Sequence, residues 1–106
     1  DFPLWLAPVQ IVVLPISEKV QTYAEKLTKN LKASGFRTQL DDKADKIGAK
    51  IRQAELSKIN IMLIVGEKEA EAETVSVRRR HKGDLGVMDV SELTGLLSEE
   101  IKQRSS

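Results

Sequence analysis

Apolar residues recur along the chain in two rhythms. Val9-Gln10-Ile11-Val12-Val13-Leu14 and Ile59 to Val65 are short, nearly unbroken apolar runs, as expected of strands covered on both faces of a largely parallel sheet. Between them, Val20, Tyr23, Ala24, Leu27 and Leu31 follow at i, i+3, i+4, i+7 and i+11, one stripe of a helix. Ser17 is placed to cap its start, with Glu18 in the first turn. Gly35 is placed to end it in a left-handed conformation. Phe36 to Leu40 alternates apolar and polar and predicts a second strand, with a loop from Asp41 to Asp45 at its carboxyl end.

Asp45 can cap a second helix in which Ile47, Ile51 and Ala54 share a face. Lys46, Lys50 and Gln53 then lie together on a different, solvent-accessible face. The run to Val65 ends at Gly66, read as a tight turn in which Gly supplies a positive φ. The acidic stretch Glu67 to Glu73 reads as a turn or loop, followed by a strand with Val75 and Val77 and a short strand around Gly86 to Met88. Leu93, Leu96, Leu97 and Ile101 give a last helix an inward face, with Asp89 and Glu92 as a capping box. Right-handed crossovers make the first three strands parallel, and the short connection after Gly66 makes the next antiparallel. The fold class is α/β with a mixed sheet. Ligands of such sheets commonly bind beyond the carboxyl ends of the parallel strands, here Asp41 to Lys46 and Gly66 to Glu69.

The 106 residues fit one domain with its own core. With no Cys and a single His, His81, thiol nucleophiles, thiolate metal sites and paired-imidazole sites are excluded within them. No GxxxxGK[ST], GxGxxG or GxSxG segment occurs, and the carboxylates follow no recognised metal-ligand spacing. No apolar run reaches the roughly 18–20 residues that span a bilayer. The opening residues lack an initiator Met and a basic segment, so a signal peptide is not expected; they read as a cut inside a longer chain. A cytoplasmic location is the expectation.

Charge changes the picture most. The total is +1, but Arg78, Arg79, Arg80 and Lys82 put +4 into five positions, leaving −3 on the rest. On a strand, Arg78 and Arg80 share one face and Arg79 points oppositely. The run is either a charged edge strand that blocks aggregation or a set of phosphate and base contacts. Lys43, Lys46, Lys50 and Arg52 form a second basic group. If both converge on one sheet rim, they flank Glu69. A carboxylate there repels phosphate but can accept two hydrogen bonds from the N1–H and N2–H of an unpaired guanine. An aromatic content of 4% argues against extensive base stacking. A protein-interaction or accessory domain, and less favourably a small α/β enzyme, are the competing readings.

Four ordered motifs then resemble one family across nearly the whole chain. Phe2-Pro3-Leu4-Trp5-Leu6-Ala7-Pro8-Val9-Gln10 is similar to the FPxWLAPxQ opening of the C-terminal anticodon-binding domain of threonyl-tRNA synthetases. Lys46-Ile47-Gly48-Ala49-Lys50-Ile51-Arg52 resembles its KIGxKIR segment and Gly66-Glu67-Lys68-Glu69 its GxKE turn. Val75 to Arg80 and Gly83 to Asp89 resemble the VxVRxR…DLGxMD close. The resemblance implies about five strands flanked by three helices, in a single domain over residues 1–106 with residues 1–8 as an interdomain junction where Trp5 packs. It implies a cytoplasmic class II parent, usually homodimeric, that joins threonine to tRNA(Thr) with ATP, magnesium and zinc. No catalytic site, cofactor or metal is implied for these residues, and no membrane partner. Glu69 and Arg78 match base-reading positions; Lys46, Lys50, Arg52 and Arg80 match positions that hold the RNA backbone or orient its loop. Ala44 departs from the polar amide that members can carry there.

Overall fold

The computed structural model describes residues 8–43 and 45–103. The Trp5 junction, Ala44 and the side chain of Ile101 lie outside the described residues. Strand β1 is Ile11–Pro15; a 3-10 turn at Glu18–Val20 leads into helix α1, Gln21–Ala33. Strand β2 (Thr38–Leu40), helix α2 (Ile47–Leu56) and strand β3 (Ile61–Val65) follow, then helix α3 (Glu67–Ala72), strands β4 (Thr74–Arg79) and β5 (Gly83–Asp89), and helix α4 (Val90–Gln103). The five strands form one sheet in the order β2-β1-β3-β4-β5. β1 is parallel to β2 and β3, and β4 is antiparallel to β3 and β5. The mixed α/β sheet expected from the sequence is thus present.

Strand alternation sends side chains to two separate cores. Ile11, Val13, Ile61, Leu63, Val65, Val75 and Val77 face α1 and α4, packing with Val20, Ala24, Leu27, Leu31, Leu93 and Leu97. On the other face Val12, Leu14 and Met62 pack with Ala54 of α2 and Ile59, with Ile47, Ile51 and Ile64 at the margin. The second core is smaller because, among the described residues, α2 is the helix that contributes to it. Among the described residues no helix covers β4 and β5 on that face.

The start of α1 departs from expectation: Ser17 precedes the 3-10 turn and makes no side-chain cap. Its end matches. Gly35 has φ +96°, its N–H donates to Lys32 O, and the Phe36 N–H donates to Leu31 O, a Schellman arrangement in which Phe36 and Leu31 also share the core. Nothing lies within 4 Å of where a Cβ would stand. Gly35→Ala should therefore lose about 1–2 kcal/mol through the backbone alone, read as a lowered urea midpoint with unchanged slope.

Four other expectations are corrected. The stretch after Gly66 is a fourth helix, α3, rather than a loop: Glu69 at its third position accepts from the Gly66 N–H and closes the first turn. Gly66 has φ −122°, an extended backbone, so positive φ is not the reason for glycine there. Asp45 does not cap α2; Lys46 precedes its first residue, with no side-chain cap. Leu96 is 56% exposed rather than inward, because the α4 stripe is carried by Leu93 and Leu97.

Candidate nucleic-acid interface

Register fixes which side chains share the uncovered face. Arg78 stands opposite Met62, and Ser76 opposite Ile64; Val87 of β5 stands opposite Ser76. Met62 belongs to the α2-side core, so Arg78, Ser76, Ile64 and Val87 all project to that face. Gly66 continues the same alternation beyond Val65. A Cβ on it would meet Glu69 Oε1 at 3.0 Å and Ile16 Cδ1 at 3.1 Å. The Glu69 carboxylate therefore occupies, on this same face, the place that any larger residue at 66 would fill. Close approach of these two side-chain tips, rather than backbone conformation, is what favours glycine there.

The result is a shallow platform. Its floor is half-buried Ile64 and Ser76 with Val87, 62% exposed; Glu69 and exposed Ile16 close one end and Arg78 the other. Met62 and Gly66 are four residues apart, about 13 Å along a strand, and that spacing separates the two charged ends of the platform. Glu69 Oε1 accepts from the Gly66 N–H at 2.7 Å. Among the described residues Oε2 makes no hydrogen bond, which leaves one fewer oxygen for a base edge than the sequence suggested. The Arg78 Nε is buried and has no hydrogen-bond partner among the described residues, where buried polar groups are ordinarily paired. Tyr23, whose hydroxyl donates to Thr74 O at 2.8 Å, is held above the usual phenol range by burial and then by the charges of Glu73 and Glu69.

The three consecutive arginines have three different settings. Arg79 points to the opposite face, where Nη1 donates to Glu100 Oε1 at 2.7 Å and Nη2 to Oε2. That hydrogen bond holds the Glu100 carboxyl below its ordinary range; the link is intact at neutral pH and is lost as pH falls through the lowered value. Arg80 Nε donates to Glu55 O, near the end of α2, at 3.0 Å, and Nη1 lies 2.8 Å from His81 Nε2. Because β4 runs antiparallel to β3, its arginines lie toward the amino-terminal end of β3 and not at the rim. The expected convergence of both basic groups around Glu69 is therefore corrected: Lys46 is at the rim, and Arg80 is at the far end.

Lys50 is also corrected. It is 4% exposed, not solvent-facing, and its Nζ donates to Pro15 O at 3.1 Å and Asp41 O at 3.2 Å. The ammonium ties the end of β1 to the start of the loop after β2, whose own turn is closed by Lys43 N–H donating to Asp41 Oδ1 at 3.1 Å. Lys50→Met should leave both carbonyls unpaired and destabilise the chain by about 1–2 kcal/mol, measured by urea unfolding. Lys46 and Arg52 are exposed on α2. Sequence reasoning missed Ile64, Ser76 and Val87; the alternation around Arg78 was the available signal, but the β4–β5 register was not. Among the described residues there is no cluster of His, Asp and Glu able to hold a metal ion, and no helix long and apolar enough to cross a membrane.

A mixed-sheet face left uncovered among the described residues, carrying an acid, an arginine without a partner among those residues and a small apolar floor, suits recognition of extended nucleic acid. The chain belongs to the anticodon-binding domain family, whose model matches residues 10–100. Within it, the chain is similar to the threonine–tRNA ligase of Chlorobaculum tepidum, with 54% identity over 104 residues, 98% of this chain. It is 49% identical over 105 residues to that of Chlorobium phaeobacteroides. It spans 16% of the length of either relative. A solved RNA-binding domain of threonyl-tRNA synthetase from Cryptosporidium parvum superposes with a TM-score of 0.90 at 35% identity, covering 93% of this chain and 25% of that one.

Proposed function

We propose that this domain reads unpaired anticodon bases of tRNA(Thr) for a longer threonine–tRNA ligase, and itself catalyses nothing. The observation that carries this reading is the Arg78 guanidinium, partnerless among the described residues with its Nε buried, on the same open face as Glu69. Glu69 Oε2 accepts from the Watson–Crick edge of guanine, the middle anticodon base of threonine tRNAs. Arg78 offers its planar donor fork to the neighbouring nucleotide, and Ile64, Ser76 and Val87 support the bases between them. Lys46 and Arg52 neutralise phosphates from α2, Lys50 fixes the loop beside them, and Arg80 borders the far end. Threonine ligation with ATP, magnesium and zinc belongs to the rest of a homodimeric, cytoplasmic parent.

Titration of the chain with a threonine anticodon stem-loop tests the reading. Binding should weaken with salt, as phosphate contacts release counterions, and should be far weaker with a scrambled loop of the same length. Equal binding to both loops would instead favour a protein-interaction domain on this fold.

A further inference from the structure

The DLG segment of β5 has no part in the reading above, yet it lies beside its central residue. Asp84 stands directly opposite Arg78 in the β4–β5 ladder. Opposite charges in that position attract one another. Here they do not pair: no hydrogen bond or ion pair joins them among the described residues. Two local features account for this. The register shifts at Val77/Arg78, where Leu85 is the extra residue of a bulge in β5. Asp84 Oδ1 instead accepts from the Gly86 N–H at 2.7 Å, in a turn that Gly86 permits with φ +92°.

We infer that the Asp84–Gly86 turn is a positioning device: it holds the Asp84 carboxylate, the cross-strand neighbour of Arg78, within its own strand, and so keeps the guanidinium available to RNA. This rests on the proposed function for its ligand, but the carboxylate's capture can be observed without RNA. Nothing lies within 4 Å of a Cβ at Gly86, so Gly86→Ala acts through the strained φ and not through a clash. The turn opens and Asp84 swings to Arg78. Asp84→Glu reaches the same end differently, because the longer side chain cannot close the short turn. Asp84→Asn keeps the turn acceptor and removes the charge.

The test is stem-loop binding by the 106-residue chain, with the Arg78 Nε–H resonance followed by NMR. Gly86→Ala and Asp84→Glu should each bind about three- to fivefold more weakly, the scale of a partly exposed ion pair. Adding Asp84→Asn to Gly86→Ala should restore binding to within about twofold, a rescue that a merely structural role of Gly86 does not predict. The Nε–H resonance should move in Gly86→Ala and return in the double variant. Unchanged binding in both single variants, or no rescue in a folded double variant, overturns the inference. If the unaltered chain does not distinguish the stem-loop from its scrambled form, the proposed function fails, and the resonance alone decides whether Asp84 is held away. Should Gly86→Ala not fold, Asp84→Glu carries both readouts.

Discussion

Glu69→Gln should lower the preference for guanine at the middle anticodon position by about 1–3 kcal/mol without moving the urea midpoint. The two halves of that statement come from the two carboxylate oxygens. Oε1 accepts from the Gly66 N–H, and a glutamine oxygen serves equally in a capping box. In the proposed complex Oε2 meets the base, and its replacement by an amide nitrogen sets a donor against the N1–H and N2–H of guanine. Adenine presents an acceptor at N1 and should be tolerated better. The measurement is the ratio of dissociation constants for stem-loops carrying G or A at that position, beside an unfolding curve. An unchanged ratio would remove Glu69 from base reading. An unchanged ratio in Glu69→Gln beside a lowered urea midpoint in Glu69→Ala, which removes the cap acceptor, would reduce it to a helix cap.

Arg78→Ala should weaken stem-loop binding by roughly 1–3 kcal/mol, a factor of about 5 to 150, the scale of a well-placed arginine contact. The protein itself should lose little, since among the described residues the guanidinium makes no hydrogen bond or ion pair to be broken. Its removal also relieves a buried, unsatisfied Nε. Opposite responses in binding and stability mark a residue maintained for a partner. Arg78→Lys separates charge from shape: it keeps the cation and the salt dependence but not the planar fork, and should recover only part of the affinity. Full recovery would assign Arg78 to phosphate neutralisation alone.

Much of this arrangement was legible in the sequence because it depends on local periodicity. The β1 and β3 runs, the α1 stripe from Val20 to Leu31 and the glycine stop at Gly35 are written in spacing alone. Helix α3 was not legible, because Glu67 to Glu73 lacks an apolar stripe and is closed by a cap whose glycine offers no side-chain signal. The burial of Lys50 was hidden for another reason. Its partners, the carbonyls of Pro15 and Asp41, are backbone groups 35 and 9 residues away, and no residue type announces them. The arginine run was legible as chemistry but not as geometry, since alternation separates Arg79 from its neighbours while strand direction decides which end of the sheet they reach.

Two of those three arginines are already engaged within the protein, one to Glu100 and one to the Glu55 carbonyl. Only the first of these bonds cancels a charge, so the stretch is less adhesive to polyanions at large than it looks on paper. A cell holds far more wrong transcripts than right ones, and a domain with little indiscriminate stickiness releases the wrong ones quickly. On the proposed function, selectivity would then come as much from short-lived mistakes as from a strong grip on the correct loop.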